Sequence, residues 1–396
     1  MITFGADFYI FKPNDTMRIL ILNYEYPPIG GGAGVVSRYH AEGLAVGGHE
    51  ITVLTAWYKG EKEIDSRKNL KIIRLKSKRR YDYKSTPDEW LSWIAYSKRF
   101  LKNYLSQNPQ DYCMAHFALP GGEVARYIHK HLKLPYAVIS HGQDIPWFFP
   151  KQMLKYHLVT YFWIKQICKR ADKLILLTDA MKKNADRFMG KLKHKNIIIP
   201  NGCETSQFYP NYENRSADFK ILFAGRLVAQ KSPLVFMEAL LLLKTQIGSN
   251  YNAVILGDGD LRNRMQQFVR KNGLEKEVEF KGWVSKEEML AQYQSAQVQV
   301  MSSAAEAMSI AALESLSAGL YLISTPVSGN TDIIETGING ELFDFADSGA
   351  LADKLGNYYK TKFRKDYRVP ADFLEKFRQK YDWGNIVKII QKELIS

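Results

Sequence analysis

Short apolar runs rich in β-branched residues alternate with helical spacings along nearly the whole chain. Arg18–Asn23, Glu50–Thr55, Leu70–Leu75, Tyr136–Ser140, Lys173–Leu177 and Asn196–Ile199 read as strands. A second series follows at Lys220–Ala224, Tyr251–Leu256, Glu277–Lys281, Val298–Met301, Tyr321–Ser324 and Gly340–Phe343. Most neighbours leave room for one helix. That rhythm predicts an α/β chain whose parallel sheets are covered on both faces. It breaks once, from Pro200-Asn201-Gly202 through the polar run N-Y-E-N-R-S-A-D. Two doubly wound domains are expected, at 17–204 and 205–375, after an N-terminal extension at 1–16. Ala371–Ile395 reads as helix through Phe373, Phe377, Ile386, Ile389 and Ile390. Its last part, 376–396, is expected to pack back toward the N-terminal domain. Ligands of such sheets sit at the carboxyl ends of the strands, so a cleft between two facing sheets is the expected site.

Composition narrows the partners. A chain of 396 residues that is 46% hydrophobic has material for two cores. A formal charge of +14 points toward anionic partners: phosphorylated ligands, nucleic acid or an anionic membrane surface. Cys113, Cys168 and Cys203 are far apart, which fits a reducing compartment and neither a disulfide framework nor a zinc site. The opening residues do not have the form of a signal peptide, and no apolar run approaches the ~20 residues of a spanning helix. A cytoplasmic protein, soluble or peripheral on a membrane, is expected.

The run S-S-A-A-E-A-M-S-I-A-A-L-E-S-L-S-A-G holds Glu306 and Glu314 around a predicted helix start. Ser309 is the N-cap candidate and Gly319 the stop, with Ile310, Leu313 and Leu316 at helical spacing. Open N–H groups and the positive helix end make an anion site there, flanked by two acceptor-only side chains. Phosphates with hydroxyls suit it; two solvated glutamates are the plainer reading. The first strand runs into Gly30-Gly31-Gly32-Ala33-Gly34, before a helix expected near Val35. The loop is neither a Walker A loop nor a good dinucleotide fingerprint, because no G-K-[ST] follows and no acid closes Ile51–Thr55.

Strand ends carry the other candidates. His141, in S-H-G-Q-D-I, could donate to a sugar hydroxyl when neutral or stabilise developing charge when protonated, with Asp144 as a loop cap. His116 could meet an acceptor or order its own loop. Arg226 and Lys231 could clamp a pyrophosphate. Gly257 ends a strand as a turn or a close approach to ligand. At Gly282-Trp283-Val284, backbone groups could read a base, or Trp283 could be core.

In this order the motifs resemble glycosyltransferase family 4, with its two-Rossmann GT-B fold. They are the G-G-A-G loop, H-G-Q-D, I-P-N-G, G-R-L-V-A-Q-K, G-D-G, F-K-G-W-V, the Glu306/Glu314 pair and P-V-S-G-N-T-D-I-I. The resemblance runs from about Met17 to the C-terminus. It implies a retaining transferase that uses a UDP- or GDP-linked sugar and needs no metal or cofactor. It implies that Arg226 and Lys231 hold the diphosphate and that Glu314 accepts from the ribose. Glu306 then contacts the transferred sugar, assisted by amides of Ala307, Met308, Ser309 and Ile310. His141 lies near the sugar and the leaving oxygen, and Gly32, Ala33 and Gly34 pack against donor or acceptor. His116 and Trp147 become acceptor candidates, and Gly257, Trp283 and Val284 donor candidates. The chain departs from the family pattern at Ala307 and Ser309, where Gly and Pro are usual, and at Ser232, where Gly follows the lysine.

Two basic stretches in the first half carry aromatics. One holds Lys71, Arg74, Lys76, Lys78, Arg79, Arg80 and Lys84 before Trp90 and Trp93. The other holds Trp147, Phe148, Phe149, Tyr161, Phe162 and Trp163 among Lys151, Lys155, Lys165, Lys169 and Arg170. Such surfaces suit an anionic membrane, and the resemblance implies a glycan or lipid-linked acceptor, as in polysaccharide, lipopolysaccharide or glycolipid synthesis. The strand–helix layout matches no common nucleic-acid module, so no nucleic-acid partner is expected. Two other functions fit parts of the pattern: a non-catalytic nucleotide-sugar-binding subunit, and a nicotinamide-dependent oxidoreductase.

Overall fold

The computed structural model describes residues 16–82 and 85–395. The extension at 1–16 (but for its last residue) and Lys84 lie outside the described residues, as does the side chain of Lys151. The chain forms two compact units. Unit 1 runs to Asn201 and takes back the chain from Trp383; unit 2 is Gly202–Asp382. The boundary thus falls at 201/202 rather than after residue 204.

Unit 1 is built on strands β1 (Arg18–Leu22), β2 (Glu50–Ala56), β3 (Ile64–Arg67), β4 (Leu70–Leu75), β5 (Tyr112–His116), β6 (Tyr136–Ile139), β7 (Lys173–Leu176) and β8 (Asn196–Ile198). Their spatial order is β3-β4-β2-β1-β5-β6-β7-β8. Every pairing is parallel except β3 with β4. β1 and β5 are buried along almost their whole length, as unbroken apolar runs require when helices cover both faces. The polar strand β3 escapes that pattern because it lies at the sheet edge. Helix starts are set locally: Thr86 and Glu89 form a reciprocal capping box before Pro87–Gln107, and Thr178 accepts from the Met181 N–H.

The expected C-terminal helix is two helices, Ala371–Tyr381 and Trp383–Leu394. The first belongs to unit 2 and the second to unit 1. The second packs on Gly32–Val46: Trp383 stacks on Tyr39 at 4.6 Å between ring centroids. A Cβ on Gly43 would lie 2.4 Å from Val387 Cγ2, so Gly43 leaves the space that the crossing helix fills.

Unit 2 is built on β9 (Lys220–Ala224), β10 (Asn252–Leu256), β11 (Val278–Gly282), β12 (Val298–Met301), β13 (Tyr321–Ser324) and β14 (Gly340–Leu342). The order β11-β10-β9-β12-β13-β14 is parallel throughout. Phe219, Phe223, Phe236 and Leu240 lie in its main core. In each sheet the order reverses at one place, beside β1 and β5 in unit 1 and beside β9 and β12 in unit 2. Chain leaving neighbouring strands in opposite directions opens a crevice there. The glycine loop, His116, Arg226, Lys231 and Glu306 lie at the ends of those strands, and His141, Gly257 and Trp283 at the ends of the nearby β6, β10 and β11. Among the described residues no helix is long and apolar enough to cross a membrane.

Candidate functional site

In unit 2 the crevice begins with glycine. Gly225 follows β9 at φ 149° and Gly257 follows β10 at φ 115°. The Gly225 N–H donates to Leu256 O at 2.9 Å and the Gly257 N–H to Gly282 O at 2.7 Å. A Cβ on Gly257 would sit 2.2 Å from Gly225 O. Backbone packed against backbone demands glycine there, before any ligand is considered.

Lys231 and Glu306 meet across this crevice. The Lys231 ammonium pairs with Glu306 Oε1, and both side chains are largely buried. Ser303 Oγ donates to the same oxygen at 3.1 Å. The two loops are stitched together: the Ala304 N–H donates to Gln230 O at 2.8 Å, and Gln230 Nε2 to Ala305 O at 2.8 Å. Ser302 Oγ donates to Lys231 O at 3.1 Å. Arg226, five residues earlier, is exposed. Ser232 sits at φ 46°, ψ 48°, the left-handed region that glycine adopts without strain. Ala307 avoids that region. Gly329 packs on it, since a Cβ there would lie 2.5 Å from Ala307 O.

The helix Ile310–Ser317 starts where the spacing predicts, and Ser309 is its N-cap by backbone conformation. Its hydroxyl caps nothing, however, so the first-turn N–H groups stay open at the positive helix end. Met308 and Ser309 are buried; Ala307 and Ile310 are half-buried. Glu314 lies one turn inside the helix. Burial pushes its carboxyl up to about 8, with Glu204 adding repulsion while Lys286 and Tyr293 oppose the rise. Lys286 itself pairs with Glu204 at 2.8 Å. Lys286 and Tyr293 carry no strand-end signature in the sequence and join the site only through the fold. Val284 packs against the cluster around Phe208 and Leu222, but Trp283 is 69% exposed and is not core.

Unit 1 brings its two candidate histidines together. His116 ends β5 and His141 follows β6, its parallel neighbour. His116 Nδ1 and His141 Nε2 are 3.0 Å apart. One ring nitrogen therefore donates and the other accepts, and burial favours the neutral form of both rings. Burial lowers His141 to about 3 and takes His116 well below its usual value. The cationic role left open for His141 is thus disfavoured. His116 is fully buried whereas His141 is partly exposed, so of the two it is His141 that reaches the surface of the crevice. Asp144 does cap the loop. Its carboxylate accepts from Ser140 Oγ at 2.8 Å, from the His141 N–H at 3.0 Å and from the Ala118 N–H at 2.8 Å.

The glycine loop is a helix turn. The helix starts at Gly32 rather than near Val35, so Gly32, Ala33 and Gly34 form its first turn. Glu25 Oε2 accepts from the Gly31 N–H at 3.2 Å. Trp147 is half-exposed, its ring 5.4 Å from that of Tyr161.

Comparison with known proteins agrees with this arrangement. Residues 30–207 match the model for Glycosyltransferase Family 4. Residues 207–371 match the model for Glycosyl transferases group 1. An uncharacterized glycosyltransferase of Methanocaldococcus jannaschii is 23% identical over 95% of this chain and 97% of its own. The GalNAc–GalNAc–diNAcBac-PP-undecaprenol alpha-1,4-N-acetyl-D-galactosaminyltransferase of Campylobacter jejuni is 32% identical over 46% of this chain and 49% of its own. Anabaena HepE, solved with UDP and glucose, is 16% identical and superposes with a TM-score of 0.75 over 96% of this chain and 100% of its own. With two parallel-sheet α/β units, a strand-end site in each and both family models matched in order, the chain belongs to the group 1, family 4 glycosyltransferases of GT-B fold.

Proposed function

We propose that the chain moves a sugar from a nucleoside-diphosphate donor to a glycan or lipid-linked acceptor of the cell envelope, with retention and without a metal ion. The observation that carries this reading is the Lys231–Glu306 pair beside an uncapped helix start, with the desolvated Glu314 one turn on. Cations and open amides suit a diphosphate, and carboxylates suit hydroxyls. HepE was solved with UDP, and the Campylobacter relative is named for a diphosphoundecaprenol-linked acceptor; both favour the same chemistry here.

In the step proposed, the bond between the anomeric carbon and the phosphate oxygen breaks as the acceptor hydroxyl oxygen bonds to that carbon. The acceptor proton passes to the departing phosphate oxygen. Arg226, Lys231 and the amides of Ala307 to Ile310 meet the negative charge that develops there, so catalysis is chiefly electrostatic and positional. Glu306 orients the sugar and Glu314 the ribose. Neutral His141 contributes a hydrogen bond, not a charge. A lipid-linked acceptor would draw the enzyme to the cytoplasmic face of a membrane.

Titration calorimetry with UDP, GDP, ADP and NAD, followed by donor hydrolysis assays, tests the reading. Glu314→Ala is expected to weaken the preferred diphosphate about tenfold at pH 8 and above, where the carboxyl ionises, through loss of a hydrogen bond to a charged group. Glu306→Ala should spare that affinity and cut turnover. Preference for NAD, or equal loss of diphosphate affinity in both variants, would refute these assignments.

A further inference from the structure

The two basic stretches differ once folded. In the first, five of the described cations have partners of their own. Lys78 and Arg80 pair with Asp88, Lys76 pairs with Glu63 and Arg74 with Glu61. Arg79 lies over the Tyr24 ring, and Trp93 is core.

The helix Pro150–Arg170 is another matter. Its inner face buries His157, Ile164, Ile167 and Cys168. Its outer face leaves Leu154 51%, Leu158 73%, Val159 86% and Phe162 80% exposed. Leu154, Leu158 and Phe162 are four residues apart, so they form one stripe. Lys155, Lys169 and Arg170 are exposed on the same helix, which carries no acidic residue. Trp147 stands beside this face through Tyr161, whose ring meets Phe162.

We propose that this outer face docks on an anionic lipid leaflet, with Leu154, Leu158, Val159 and Phe162 entering the headgroup–acyl boundary. The charge distribution selects this occupant. Lys155 lies within the apolar stripe, not around it. Protein interfaces exclude lysine from their cores, whereas a lysine in a headgroup layer keeps its ammonium in water and lays its stem along the apolar surface. Positive charge without any acid complements anionic headgroups, and a rim aromatic such as Trp147 suits the same depth. The inference rests on the lipid-linked-acceptor reading and names the surface that would serve it.

Sedimentation of the full chain with phosphatidylcholine vesicles, with and without phosphatidylglycerol, tests it. Binding is expected only with the anionic lipid. It should fall about fivefold for each of Lys155→Gln and Lys169→Gln, and at least tenfold in Leu158→Ser/Phe162→Ser. The apolar double variant should keep the wild-type circular dichroism and UDP or GDP affinity. Wild-type protein that stays in the supernatant at low salt overturns the proposal. So does a double variant that sediments as well as wild type, or light scattering showing a dimer that it abolishes. Nucleotide binding without vesicle binding would sink the docking surface alone; loss of both would sink the transferase reading as well.

Discussion

Glu314 makes the protein's stability and its ligand affinity respond to pH in opposite directions. Its carboxyl is raised to about 8, mainly by burial. Below the ordinary carboxylate range it is protonated in the folded and the unfolded chain alike. From there up to about 8 the unfolded chain ionises while the folded one holds its proton. The folded state then binds more protons, so stability falls as pH rises and levels off above about 8. Between the ordinary 4.5 and about 8, at about 1.4 kcal/mol per pH unit, the loss by pH 9 reaches roughly 5 kcal/mol. Glu314→Gln removes the titration. It should melt close to wild type at pH 5 and above it at pH 9, by roughly 10–20 °C at about 2–4 °C per kcal/mol. Calorimetric scans at the two pH values read this directly. Ligand affinity should run the other way, because a ribose diol binds the ionised carboxylate better. Wild-type affinity for UDP or GDP is expected to rise with pH toward about 8, and that of the glutamine variant to stay flat. A variant that melts below wild type at pH 9, or by the same margin at both pH values, would show that the carboxyl is not held protonated by its surroundings.

Two further outcomes follow from local geometry. Ser232→Gly relieves a left-handed serine at φ 46° and should raise unit 2's resistance to urea by about 1 kcal/mol; an unchanged or lower midpoint would count against strain there. His116→Phe keeps bulk but removes the partner of His141 Nε2, so kcat should fall while diphosphate affinity, read by calorimetry, is unchanged.

Most strands were legible because a strand buried on both faces must be an unbroken apolar run. β3 was not, since I-D-S-R at an edge needs no apolar face, and the short β5 was marked only by its end at His116. The helix break at Asp382 was hidden because apolar residues continue at helical spacing on both sides of it. The sequence places Glu306 and Glu314 correctly around a helix start, yet it cannot say that Lys231 turns to Glu306. That pairing comes from β9 and β12 being adjacent, a property of strand order. The His116–His141 bond has a similar origin in adjacent β5 and β6. Two strand-end histidines were visible; their hydrogen bond was not.

Because the segment from Trp383 belongs to unit 1, unit 2 is in effect inserted into unit 1. A ribosome making this chain delivers all of unit 2 before the last piece of unit 1. Unit 2 can complete its contacts during synthesis, whereas unit 1 must wait for Trp383 to reach Tyr39. Until then the groove at Gly43 lies open, and the polypeptide is exposed to proteases and chaperones at its first-made half. A stop codon just short of Trp383 would therefore injure the opposite end of the protein.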